Sequence, residues 1–109
     1  MINSWAVRLG EKLDQSSLDE LRSKLGMRAS GRLTDDWDEL FGEGTRAIGD
    51  KSVQVELWRD VDTSEWRLDI EMPSELSEAQ AARVLAEVQE AAASMGLTIV
   101  SSLRRPSRR

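Results

Sequence analysis

Two stretches of alternating apolar and polar residues in the middle of the chain constrain its fold most strongly. They span residues 53–59 and 66–72 and are separated by the polar stretch 60–65. Successive side chains of a strand point to opposite faces, so each stretch has one apolar face and one mostly polar face. Together the two stretches predict a β-hairpin. Pro73 lacks a backbone N–H group and predicts the end of the second strand.

A long helix is predicted directly after this hairpin. Ser77 and Gln80 have the spacing of a capping box, and Gly96 has the position of a helix-ending glycine. Between them, apolar residues recur at helical spacing. Residues 97–100 then predict a last short strand. The predicted order for residues 53–103 is therefore ββαβ, with the helix packed on the apolar face of the hairpin.

The first third of the chain is predicted to be helical. Its apolar residues recur at helical spacing over residues 3–13; they are Ile2, Trp5, Ala6, Leu9 and Leu13. Ser17 and Glu20 predict the capping box of a second helix, which ends at Gly26. Residues 1–33 thus form a predicted helical pair. The predicted fold class is α+β, with N-terminal helices followed by a ββαβ unit whose small, mostly antiparallel sheet packs on one long helix.

Residues 34–52 are predicted to connect these two parts. Thr34 is a suitable N-cap for a short acidic helix, on which Trp37 and Phe41 lie on one face. Three glycines within residues 42–52 predict a flexible connector. Residues 1–103 then form a single domain, and the arginine-rich tail 104–109 is predicted to be disordered.

The composition excludes several classes of chemistry. The 109 residues include no cysteine and no histidine, which excludes disulfides, thiol nucleophiles, histidine-based triads and metal sites built on these ligands. The sequence also lacks a phosphate-binding glycine loop. We therefore predict a protein that is not an enzyme and binds no cofactor or metal ion. No apolar run is long enough to span a membrane, which favours a cytoplasmic location without membrane contact.

The net charge of −5 is distributed unevenly along the chain. Residues 34–103 carry five Lys or Arg against sixteen Asp or Glu, whereas residues 1–33 and 104–109 are net basic. A strongly acidic body repels nucleic acid and attracts basic partners. The charge pattern therefore makes nucleic acid an unfavourable ligand and a protein with a basic surface a favourable one.

The leading hypothesis is a small, non-catalytic, acidic protein-binding module. Such a module would act as an inhibitor, an immunity-type protein or an accessory protein docking on a basic partner, and nucleic-acid mimicry is one form of this role. Carboxylates would steer the encounter and aromatic side chains would anchor it. The predicted partner-binding residues are Asp35, Asp36, Trp37, Asp38, Glu39, Phe41, Glu56, Trp58 and Asp69. Trp58 is predicted to be covered by the N-terminal helices or by the segment around Trp37; exposed, it would be the first candidate for a contact hot spot.

Two alternatives remain open at this point. The first is a DNA-binding regulator with a helix-turn-helix-like segment at residues 17–37. It predicts that four basic side chains share one exposed surface; they are Arg22, Lys24, Arg28 and Arg32. The second is a homodimer, in which strand 97–100 or an edge of the hairpin pairs across a two-fold axis.

Overall fold

In the described part of the chain, six strands form one antiparallel sheet, and two helices cover one of its faces. The computed structural model describes the backbone of residues 2–105 and the side chains of residues 4–104. The elements in chain order are β1 (Ile2–Leu9), α1 (Gln15–Lys24), β2 (Arg28–Ala29), β3 (Leu40–Ile48), β4 (Lys51–Arg59), β5 (Trp66–Pro73), α2 (Glu78–Ala93) and β6 (Ile99–Arg105). The strand order across the sheet is β2-β3-β4-β5-β1-β6.

The core lies between the sheet and the two helices. The inward faces of β4 and β5 supply most of its sheet side and are fully or almost fully buried, as the alternation predicts. Leu18, Leu21 and Leu25 from α1 and Val84 and Val88 from α2 complete the same apolar cluster. Neither of the two described helices packs on the opposite face of the sheet, so its polar side chains form an open surface on the other side of the molecule.

The prediction of two N-terminal helices before a ββαβ unit is wrong. Residues 2–9 form a strand that pairs with β5 on one side and β6 on the other. This stretch also has the period of two that is typical of a strand. Its alternate apolar residues Trp5, Val7 and Leu9 face the helices. The residues of this stretch fit both the helical and the strand pattern, and pairing with β5 and β6 selects the strand. Helix α1 exists, but its N-cap is Asp14, whose carboxylate accepts the Ser17 N–H at 2.8 Å.

The predicted acidic helix and flexible connector at residues 34–52 are also absent. Residues 40–48 form β3, which pairs with β4 through a bulge near Phe41. Gly42 and Gly44 lie within this strand because α1 ends against it. An added Cβ would lie 2.9 Å from the Met27 sulfur at position 42 and 2.9 Å from the Gly26 carbonyl oxygen at position 44. These glycines therefore mark a close approach of backbone rather than flexibility.

The remaining predicted elements are present with shifted ends. The hairpin is β4 and β5, and Ser77 and Gln80 form the capping box of α2, with both hydrogen bonds made. The last strand extends from Ile99 to Arg105 and so includes the start of the predicted disordered tail; residues 106–109 lie outside the described part of the chain. The hairpin occupies the middle of the sheet, so neither of its strands offers an edge for dimerisation.

Candidate protein-docking surface

The loop between β2 and β3, residues 30–39, is held by hydrogen bonds within itself. The Asp38 carboxylate accepts the Arg32 backbone N–H at 2.7 Å, and the Asp35 carboxylate accepts the Trp37 N–H at 3.0 Å. The Asp35 N–H in turn donates to the Arg32 carbonyl oxygen at 3.0 Å. Two of the acidic residues that the sequence marked as surface charges thus also shape the backbone.

Arg59, at the end of β4, connects this loop to the core. Its guanidinium donates to the carbonyl oxygens of Asp35 at 2.5 Å and Asp38 at 3.0 Å, with a longer contact of 3.5 Å to the Leu33 carbonyl. The same group lies 4.6 Å from the ring centroid of Phe41 and 5.7 Å from that of Trp66. One cation therefore fastens the loop backbone to the aromatic part of the core.

The fastened loop presents Trp37 to solvent. The residue is 81% exposed, and it lines an open groove of about 480 Å³ together with Trp58, Asp38, Glu39 and Leu40. Trp58 is half-buried on the uncovered face of β4, and its indole N–H donates to the Glu56 carboxylate at 3.4 Å. Two tryptophans from separate elements thus share one groove, which is rimmed by carboxylates.

Gly31 enables the turn at the start of this loop. Its φ is +71°, and an added Cβ would lie 2.7 Å from the Leu40 carbonyl oxygen. We expect Gly31→Ala to lower the free energy of unfolding by about 2 kcal/mol, since it combines a left-handed backbone with a backbone clash. Gly26→Ala is the matched control, because Gly26 has φ +62° but no atom near the added Cβ. Equal losses in urea unfolding would show that the Leu40 contact imposes no constraint.

A row of carboxylates crosses the open face of the sheet. Glu43, Glu56 and Asp69 are register neighbours on β3, β4 and β5. The outer two have arginine partners, Arg28 for Glu43 and Arg67 for Asp69 at 3.1 Å. Among the described side chains, the central Glu56 forms no ion pair. The uncompensated negative charge is therefore concentrated at the middle of the row.

Burial is the main cause that raises the pKa of the Glu56 carboxyl above its ordinary value. The carboxylates of Glu71, Asp69 and Glu43 raise this pKa further, whereas the hydrogen bond from Trp58 opposes the rise. An acid with a raised pKa binds its proton more tightly in the folded state than in the unfolded chain. The folded state is therefore penalised as the pH increases from the unfolded pKa through the raised one.

We expect Glu56→Gln to stabilise the protein at pH 7 by about 0.2–1 kcal/mol, the range for a cross-strand charge contact. The gain should be absent well below the ordinary carboxyl pKa and should grow as the pH rises through the raised pKa of Glu56. Glutamine keeps an acceptor for the Trp58 indole. Urea unfolding at pH 4, 5, 6 and 7 measures the difference, with Glu43→Gln as a control that removes a paired carboxylate. A gain that does not depend on pH would contradict the assignment.

Most of the predicted partner-binding residues lie at or beside this surface, but two of them, Phe41 and Asp69, are buried. The loop residues Asp35, Asp36, Trp37, Asp38 and Glu39 border the groove or lie beside it, and Glu56 and Trp58 lie on the open sheet face. Phe41 is 0% exposed and packs edge-on against Trp66, so it cannot contact a partner. Asp69 is only 9% exposed and is paired with Arg67. Trp58 is half-buried, the Arg67 guanidinium lies 5.6 Å from its ring centroid, and the N-terminal helix pair predicted to cover it is not formed.

Arg59 is the functional residue that the sequence analysis missed. One signal pointed to it, because Arg59 follows Val53, Val55 and Leu57 in the inward-facing register of β4. A guanidinium at an inward-facing position needs carbonyl or carboxylate oxygens that accept hydrogen bonds from its N–H groups. The aspartate-rich loop supplies these carbonyl oxygens, but the sequence alone did not indicate that the loop lies next to Arg59.

The surface required by the DNA-binding alternative is not formed. Residues 30–37 are a loop and not a recognition helix. Arg22 is 8% exposed, and its guanidinium donates to the Phe41 carbonyl at 3.1 Å and to the Asp19 carboxylate at 2.7 Å. It supports the junction between α1 and β3 instead of facing solvent with Arg28 and Arg32.

The described part of the chain contains neither a group of metal-ligating side chains nor a helix able to span a membrane. The turn before β5 is closed by Asp60, whose carboxylate accepts the N–H groups of Asp62 and Thr63. Within residues 2–105, no group of three or more acidic side chains is arranged to hold a metal ion. Neither of the two helices described there has the length and apolarity to cross a bilayer.

Comparisons with known proteins leave the surface as the main guide to function. No protein-family model and no curated protein sequence matches the chain.

Proposed function

We propose that this protein is a non-catalytic docking module that binds a protein partner with a basic surface through the Trp37–Trp58 groove. The observation that carries the proposal is the exposure of Trp37 on a loop whose backbone is held by hydrogen bonds. An exposed tryptophan gains nothing for folding, yet Arg59 and two aspartates hold the backbone around it. A large aromatic side chain on an ordered loop loses little entropy on binding, which is typical of a contact hot spot.

The charge around the groove favours a basic partner. Asp35, Asp36, Asp38 and Glu39 lie on the loop and Glu56 on the adjacent strand, whereas Arg32 is the only cation among the residues that line the groove. Complementary charge accelerates the encounter and discriminates against acidic partners. The roles that fit this proposal are those of an inhibitor, an immunity-type protein or an accessory protein.

Selection from a random displayed peptide library tests the proposal. We expect the immobilised wild-type protein to enrich peptides rich in Arg and Lys, and Trp37→Ala to weaken binding of the enriched peptides at least about tenfold. Leu103→Ala is the matched control, since Leu103 is also an exposed apolar residue, 58% accessible, on the distant edge strand β6. No enrichment, or equal losses in both variants, would contradict the proposal.

A further inference from the structure

The geometry points to an arginine side chain of the partner as the group that enters the groove, seated between the Trp37 and Trp58 indoles with its guanidinium toward Asp38 and Glu39. This inference rests on the docking function proposed above and specifies the chemistry of that contact. Three observations support it: the unoccupied side of Trp58, the carboxylates next to it, and the way in which this chain packs its own arginines.

Trp58 has one side occupied and one side open. On β5, Arg67 is its register partner and lies 5.6 Å from the centroid of its ring, with its Nε bonded to the Asp69 carboxylate. The groove lies on the other side, toward β3, because Leu40 is the register partner of Trp58 there and also lines the groove. A second cation can therefore approach Trp58 without displacing Arg67.

The open side repeats the chemistry of the occupied side. Next to the Trp58 ring, the Asp69 carboxylate accepts a hydrogen bond from the arginine that contacts that ring. Asp38 and Glu39 are the acidic residues that line the groove together with Trp58, and Trp37 adds a second aromatic residue to the lining. Cation–aromatic contact combined with a carboxylate acceptor is the arrangement that favours a planar guanidinium over an ammonium group.

The chain uses arginine in this way at a second place. Arg59 lies over Phe41 and beside Trp66 while donating to carbonyl oxygens of the loop. Each cation–aromatic contact of the described residues is made by arginine and none by lysine. The groove differs from these internal sites in one respect, since it is an open space that both tryptophans line.

Fluorine NMR of protein labelled with 5-fluorotryptophan tests the inference, with the four tryptophan signals assigned from single Trp→Phe variants. The probes are acetylated, amidated pentapeptides Gly-Ser-Xaa-Ser-Gly in which Xaa is arginine, lysine, citrulline or norleucine. We expect the arginine peptide to shift the Trp37 and Trp58 signals saturably and to leave those of Trp5 and Trp66 unchanged. The uncharged citrulline peptide should bind about tenfold more weakly, with lysine between them.

A charge variant separates groove binding from general attraction to an acidic protein. Glu39→Gln removes an exposed carboxylate at the groove without touching the hydrogen bonds of the loop, and should weaken the arginine peptide about threefold. Glu20→Gln, an exposed carboxylate on α1, should leave binding unchanged. Equal effects of the two variants would overturn the inference.

The remaining outcomes distinguish the inference from the function on which it rests. Equal binding of the norleucine and arginine peptides, or no shift of the Trp37 and Trp58 signals, would overturn the arginine assignment. If peptides from the displayed library nevertheless require Trp37, the docking function stands and only its chemistry is wrong. If no library peptide requires Trp37, both the function and the inference fail.

Discussion

Arg22→Met is expected to lower the free energy of unfolding by about 2–3 kcal/mol, a large effect for one residue of a surface helix. The guanidinium of Arg22 donates to the buried Phe41 carbonyl and to the Ser30 carbonyl at 3.3 Å. Methionine fills similar space but leaves the buried carbonyl with only the longer hydrogen bond from the Ser30 N–H, at 3.4 Å. Equilibrium urea unfolding measures the loss.

Two controls locate the origin of this effect. Lys24→Met removes an exposed cation from the same turn of α1 and should change stability by less than about 0.5 kcal/mol. Asp19→Asn removes the ion pair of Arg22, in which the Asp19 side chain is 60% exposed, and should cost clearly less stability than Arg22→Met. Similar stability of the Arg22 and Lys24 variants would mean that Arg22 is a surface residue, as the DNA-binding alternative requires.

Arg59→Met is expected to release the Trp37 loop and to lower the free energy of unfolding by about 2 kcal/mol. The variant loses the donors that bind the carbonyls of Asp35 and Asp38, together with the cation over Phe41. Some of these carbonyls are exposed and can bond to water instead. The larger consequence is therefore expected in loop order rather than in global stability.

Limited proteolysis measures that loss of order. A protease that cleaves beside aspartate should cut at residues 35–38 about tenfold faster in Arg59→Met than in the wild-type protein, because the loop opens without global unfolding. Arg67→Met is the matched control, since Arg67 also contacts an aromatic ring but makes no hydrogen bond to the loop. Equal cleavage of the two variants would mean that Arg59 does not fasten the loop.

The sequence correctly predicted those elements whose local pattern fits only one type of secondary structure. The β4–β5 hairpin and helix α2 combine a clear period with capping or turn residues, and both are present. Strands β1 and β3 were missed because their residues satisfy two periods, or contain glycines that resemble a connector. The partners of β1 lie far away in the chain, so tertiary pairing decided its conformation, whereas β3 pairs with β4, which follows it directly.

The candidate site followed the same rule. The acidic residues and Trp37 were recognised as candidate contacts from the sequence, but it predicted a short helix where the structure has a loop. The common groove with Trp58 required the correct strand order, which the sequence did not predict. Phe41 was misassigned because the helical spacing grouped it with Trp37, whereas the bulge in β3 allows it to enter the core.

The central claim is that the loop is ordered in the free protein so that Trp37 is presented to a partner. Nitrogen-15 relaxation of the Trp37 backbone amide tests this claim without knowledge of any partner. An order parameter near about 0.85, equal to that of the neighbouring strands, is the predicted result. A value below about 0.6 would contradict the claim, because a mobile loop would not hold Trp37 in a fixed position beside Trp58.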